Sequence, residues 1–148
     1  FSISAAKALS TTGNTLSITA DDITITGTIN SGAAATTILV SDGGTIGLGA
    51  TAGNMTISGA ELQNITATGL IVGDTTAGSI TVNGITAANS NNVSGTTSLV
   101  AGGNGAIVTF ATAASTFNAL SASGDDRVVD RYRQPRPRRR RRQRRRHQ

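Results

Sequence analysis

The chain has no cysteine and no tryptophan, and aromatic residues make up only 3% of it. Without cysteine there is no disulfide, no thiolate metal ligand and no cysteine nucleophile. Both prolines, Pro135 and Pro137, stand near the C-terminus, so residues 1–134 lack the residue that most often interrupts a strand ladder. The sole histidine is His147, which leaves residues 1–146 without an imidazole base or ligand. Cations are scarce too: before Arg127 the only Lys or Arg is Lys7. No apolar run reaches about 18 residues, so no segment reads as a membrane-spanning helix. No signal peptide is visible and the chain does not begin with Met, so an excised or processed piece is expected.

What is abundant is small. Of 148 residues, 18 are Gly, 21 Ala, 14 Ser and 23 Thr. Side chains of this size cannot fill the wide interior of a helical bundle or a doubly wound sheet at normal density. Gly and β-branched Thr also disfavour helix, while Thr, Ile and Val favour strands. The net charge of +5 is divided unevenly. Residues 1–126 set Lys7 against Asp21, Asp22, Asp42, Glu61, Asp74, Asp125 and Asp126, for −6, whereas residues 127–148 set twelve Arg against Asp130, for +11.

Nine short segments alternate apolar and small residues at the period of a strand. They are 16–18, 23–25, 38–40, 46–48, 55–57, 70–72, 80–82, 99–100 and 107–108. Between them lie Gly- and Asn-containing corners at 11–14, 30–32, 41–44, 51–54, 76–78, 89–92 and 101–105. Both residue types tolerate positive φ and so permit tight corners. A loose repeat runs through Gly13-Asn14-Thr15-Leu16, Gly53-Asn54-Met55-Thr56 and Gly78-Ser79-Ile80-Thr81, at offsets of 40 and 25. It predicts about five or six coils of roughly 20–25 residues, stacked as a β-solenoid with a narrow interior. An antiparallel sandwich or jelly roll is the alternative, since alternation alone does not separate the two.

The parts of an active site are missing from residues 1–126. Asp21-Asp22 and Asp125-Asp126 are adjacent pairs, and strand neighbours point to opposite faces, which makes a shared-proton dyad a poor reading. Glu61 reads as a residue that caps or solvates a turn. The Gly-Gly-x-Gly-x-Asp nonapeptide of calcium-loaded solenoids does not occur, and Gly102-Gly103-Asn104-Gly105 lacks its Asp. Thr24-Ile25-Thr26 and Thr66-Ala67-Thr68 do not form a threonine row at every coil, so solvated outer-face threonines are expected rather than an ice-binding ladder. Asn54-Met55-Thr56, Asn64-Ile65-Thr66 and Asn92-Val93-Ser94 match the glycosylation sequon, which a Thr-rich chain produces by chance. No catalytic residue, no metal ligand and no cofactor is expected, and the chain is read as not an enzyme.

Residues 127–148 are different in kind. Arg138, Arg139, Arg140, Arg141 and Arg142, with Arg144, Arg145 and Arg146, repel one another and bury no apolar surface, so a disordered tail is expected. Such a run binds phosphate backbones by counterion release, and it resembles the arginine-rich RNA-binding peptides of viral transactivators. Tyr132 alone offers little base stacking. Three readings stand: an appended or frame-shifted end, an electrostatic anchor to an anionic polymer or to the acidic body of a neighbour, and a nucleic-acid binding segment. The expected division is therefore a repeat segment over residues 1–126 and a tail over 127–148.

The repeats also carry a family resemblance. Ile23-Thr24-Ile25-Thr26-Gly27-Thr28-Ile29-Asn30, Gly44-Thr45-Ile46-Gly47-Leu48-Gly49 and Met55-Thr56-Ile57-Ser58-Gly59-Ala60 resemble the repeat region of filamentous haemagglutinin-like bacterial exoproteins and adhesins. Residues 65–73 and 78–84 look like the same kind of repeat, and the likeness covers about 9–124. It implies a right-handed parallel β-helix, secretion to the bacterial cell surface or beyond it, and service as an adhesin, biofilm scaffold or stalk. The partners it implies are further copies or neighbouring repeats stacked into filaments, and a host or cell-surface ligand. No Asn-Pro-Asn-Gly secretion motif is present, so no functional residue is carried over from the family.

Overall fold

Each of the nine alternating segments lies in or overlaps a strand of the computed structural model, which describes residues 1–131. In chain order the strands are β1 (Ser2–Ile3), β2 (Ala8–Ser10), β3 (Leu16–Ala20), β4 (Thr24–Ile25), β5 (Thr28–Asn30), β6 (Ala35–Val40), β7 (Ile46–Gly49) and β8 (Met55–Ile57). They continue as β9 (Ile65–Thr66), β10 (Gly69–Asp74), β11 (Ile80–Asn83), β12 (Thr96–Ala101), β13 (Ile107–Phe110), β14 (Ala119–Gly124) and β15 (Arg127–Asp130). Two single-turn helices, α1 (Gly59–Gln63) and α2 (Ala87–Ser90), interrupt them.

Among the described residues all eleven strand pairings are parallel, which excludes the antiparallel sandwich. Sheet I runs β3-β6-β10-β12-β14, sheet II runs β8-β7-β11-β13-β15, sheet III runs β2-β5-β9, and β1 pairs with β4. The result is a solenoid-like repeat fold of five stacked levels. Inward positions form rows, because a strand presents every second residue to one face. Ile18, Ile38, Val72, Leu99 and Ala122 make one row in sheet I. Met55, Ile46, Ile80, Val108 and Val128 make another in sheet II. Full burial of one such aliphatic side chain contributes about 1.5–3 kcal/mol, and the described core contains little else. The two buried threonines, Thr36 and Thr97, lie in a neighbouring inward row, and Thr36 donates to Ser31 Oγ at 3.0 Å. Among the described residues no buried side-chain polar atom lacks a partner.

The coils are less regular than the repeat suggested. Along the sheet I row the chain advances 20, 34, 27 and 23 residues per level. The short and the long step have one cause. After β3 the chain turns through 21–23 directly into β4 and contributes no strand to sheet II on the first level. That place is filled later, when the chain leaves β7, crosses its outer face through 50–54 and lays β8 on the near side of β7. Gly47 makes the crossing possible, since a Cβ there would lie 2.4 Å from the Thr51 carbonyl oxygen. From β8, α1 returns the chain to β9, which pairs with β5.

Two sequence expectations are corrected by this arrangement. The Gly13 unit lies on sheet I whereas the Gly53 and Gly78 units lie on sheet II, so the three do not stack as one repeat. The boundary expected after residue 126 also falls inside a coil: Arg127–Asp130 form β15, in register with Ile107–Phe110 of β13. Val128 takes the inward position opposite Val108, while the adjacent Val129 points to the other face, so β15 shows no apolar alternation in its sequence. The remainder of the expected tail, residues 132–148, lies outside the described residues.

Candidate functional site

The polar side chains of the stack bind its own backbone. Asp22 Oδ1 accepts from the amides of Ile23 at 2.9 Å and Thr56 at 2.8 Å, which ties the turn after β3 to the inserted strand β8. Asp21 accepts from the Ser41 hydroxyl. Glu61 completes a capping box at the start of α1, its Oε2 accepting from the Ser58 amide at 2.8 Å, and its Oε1 accepts from the Ile25 amide at 3.1 Å. The sequence reading of Glu61 as a turn cap agrees with this. Asp125 Oδ2 accepts from the Gly105 amide at 2.9 Å, and Asp126 pairs with Arg127.

Asp74 ends β10 and folds over the corner that follows. Its Oδ1 accepts from the Thr76 amide at 2.7 Å, the Thr76 hydroxyl at 2.8 Å and the Ala77 amide at 2.8 Å. The Thr76 amide first, then its hydroxyl, and lastly the Ala77 amide hold this carboxyl below the ordinary aspartate value, while partial desolvation opposes them. One residue earlier, Gly73 turns the chain with φ 82°, and a Cβ there would meet the Val100 carbonyl oxygen at 2.3 Å.

The asparagines make contacts that sequence reasoning missed. Asn64 Nδ2 donates to the Ile25 carbonyl at 2.9 Å while its own carbonyl accepts from the Ile29 amide at 2.9 Å. Asn92 repeats this with the Gln63 carbonyl at 2.6 Å and the Ala67 amide at 3.1 Å. Asn118 Nδ2 reaches the Val93 carbonyl at 2.8 Å. Each grips the preceding coil, and Asn64 and Asn92 do so at two points four residues apart. The signal was present as two of the three sequons, Asn64-Ile65-Thr66 and Asn92-Val93-Ser94.

No catalytic constellation is assembled by these contacts. Among the described residues no three His, Cys, Asp or Glu side chains are grouped to hold a metal ion, and no helix is long and apolar enough to cross a membrane. Thr24, Thr26, Thr66 and Thr68 are exposed while Ile25 and Ala67 between them are buried, as expected for solvated outer positions. Arg138, Arg139, Arg140, Arg141, Arg142, Arg144, Arg145 and Arg146 all lie outside the described residues.

An apolar opening lies at the C-terminal end of the described stack. A cavity of ≈ 370 Å³ there is lined by Phe110, Ala113, Ala114, Leu120, Val128 and Asp130 among others. The class defined by this geometry is a parallel-sheet repeat scaffold. Comparisons with protein-family models, with curated proteins and with solved structures find no significant match.

Proposed function

We propose that the chain is a structural segment of an extracellular bacterial fibre or adhesin, wound as a right-handed parallel β-helix like the filamentous haemagglutinin-like exoproteins its repeats resemble. In this reading it is secreted, displayed at or beyond the cell surface, and works through stiffness and self-association rather than through a catalytic step. The observation that carries the proposal is the pair of five-stranded parallel ladders, sheets I and II, which run the height of the stack without a break. Ladders of this kind resist extension and leave few flexible loops for proteases. Right-handed winding follows from the strong preference of parallel crossover connections. Antibodies raised against the purified chain test the placement: they are expected to label the outside of intact cells that make it. Labelling only after permeabilisation contradicts the proposal.

The +11 charge of residues 127–148 supports a second reading, a polyanion or nucleic-acid binding module carried on the stack. Removing 132–148 is then expected to abolish binding that falls steeply with salt. Binding that survives the truncation rejects it.

A further inference from the structure

The chain contains two Asn-Gly pairs, Asn83-Gly84 and Asn104-Gly105, and the fold holds them differently. An asparagine followed by glycine is labile, because the glycine amide nitrogen attacks the side-chain carbonyl carbon with no Cβ in the way of the approach. Asn83 ends β11, between β7 and β13, and is held on both side-chain atoms. Its Nδ2 donates to the Ala50 carbonyl at 2.9 Å and its Oδ1 accepts from the Ala113 amide at 3.0 Å. The nucleophile is engaged as well, since the Gly84 amide donates to the Ala113 carbonyl at 3.3 Å.

Asn104-Gly105 occupies the corner between β12 and β13. Both residues are exposed, and the Asn104 side chain makes no hydrogen bond among the described residues. The Ala106 amide donates to the Gly103 carbonyl at 2.8 Å and Gly105 has φ 72°, so the pair forms the centre of a tight turn. A Cβ at Gly105 would meet nothing within 4 Å. With Thr76 and Ser79 the pair lines a depression of ≈ 300 Å³, which gives water access to it. One contact restrains the reaction: the Gly105 amide donates to Asp125 Oδ2 at 2.9 Å. That bond pins the proton the nucleophile must lose, and the negative charge beside it disfavours the loss. The other corners that follow the strands of sheet I already carry an acid. Asp21 follows β3, Asp42 follows β6, Asp74 ends β10 and Asp125 follows β14, whereas the corner after β12 holds Asn104.

We propose that Asn104-Gly105 is a site of spontaneous covalent modification, at which Asn104 becomes an acidic residue and Asp125 slows the change by holding the Gly105 amide. The Gly105 nitrogen bonds to Asn104 Cγ and gives up its proton, while the Cγ–Nδ2 bond breaks and ammonia leaves with that proton. Water, the one co-reactant, then opens the cyclic imide. Attack at Cγ leaves aspartate in an ordinary main chain. Attack at the main-chain carbonyl carbon leaves isoaspartate, whose chain runs through Cβ and Cγ and is longer by one methylene. Either product puts a carboxylate on the corner that Asp125 ties to the last coil, and the like charges weaken that tie.

Peptide mass spectrometry of the full chain, aged in neutral buffer, tests the proposal. In the folded chain Asn104 is expected to gain the mass of amide-to-acid conversion, with isoaspartate among the products, while Asn83 stays an amide. In denaturant the two pairs are expected to convert at like rates, which makes the difference a property of the fold. Asp125→Ala is expected to convert at Asn104 about tenfold faster, as when one charge-assisted hydrogen bond stops opposing a reaction, with Asn83 unmoved. Asp125→Asn keeps an acceptor without the charge, serves where the alanine variant does not fold, and is expected to convert at a rate between the two. Asn104 remaining an amide in the folded chain while the denatured chain converts overturns the proposal. Equal rates at the two pairs in the folded chain overturn it as well, as does an Asp125→Ala rate no faster than that of the unmodified chain.

Discussion

At the N-terminal end of the stack Met55 and Ile57, the inward side chains of the last strand of sheet II, are fully buried. At the C-terminal end Val128, in the same row as Met55, is nearly half exposed. The sheets are the same and the strand directions are the same, so the difference lies in the chain's route. The first coil omits its sheet II strand, β8 is delivered there from the second coil, and the 21–23 turn closes over it through Asp22 and the buried Ile23. Nothing comparable returns to cover β15 among the described residues. A repeat fold does not end by exhausting its repeats; an end must be built, and among the described residues only the N-terminal one is.

The sharpest way to break this comparison is to truncate matched apolar side chains at the two ends. Ile57→Ala, in the closed end, is expected to cost about 2–5 kcal/mol, whereas Leu120→Ala at the open end is expected to cost under about 1 kcal/mol. Chemical denaturation of both variants measures the gap, and equal losses contradict the asymmetry. Next in size is the turn that holds β8. Asp22→Ala strands the amides of Ile23 and Thr56 and is expected to cost about 1–2 kcal/mol, against about 0.5 kcal/mol for Asp125→Ala, which releases the Gly105 amide at the exposed end. Between the ends, Asn64→Ala is expected to cost about 1 kcal/mol by freeing the Ile25 carbonyl, with thermal unfolding as the readout.

The smallest effect concerns pH. Asp74 titrates below its ordinary value when folded, so its contribution is present above the unfolded pKa, near about pH 4, and is lost as pH falls through the lower folded value. Asp74→Asn is expected to flatten the acid limb of the stability profile slightly, because solvent screens so accessible a group. An unchanged limb shows that the Thr76 and Ala77 contacts do not bias the titration.

Much of the scaffold was legible in the sequence. Alternation located nine strands, eight of which carry most of sheets I and II, and the lack of proline before residue 135 agreed with unbroken ladders. Strand β14, Ala119–Gly124, escaped because its inward residues include Ala and Gly, which leave no apolar contrast for a period to show. Strand β15 escaped because its two valines are adjacent rather than alternating. The route of β8 could not be read from spacing alone: the nine residues from Ile46 to Met55 are too few for a coil, but nothing local says the chain steps back. Helix α1 had a readable start in Ser58-Gly59-Ala60-Glu61, the Ser-x-x-Glu pattern of a capping box. As for a site, the sequence placed its strongest chemistry in the arginines after residue 131, and the polar groups before them are engaged in holding corners.

Native-state hydrogen exchange, followed amide by amide in a dilute sample, tests the central claim most directly. The account predicts that β8 exchanges as slowly as its neighbour β7 and the interior strand β11, although β8 is an edge strand, while β14 and β15 open first. Fast exchange in β8 matching that of β15 would contradict an inserted, closing strand and with it the difference between the two ends.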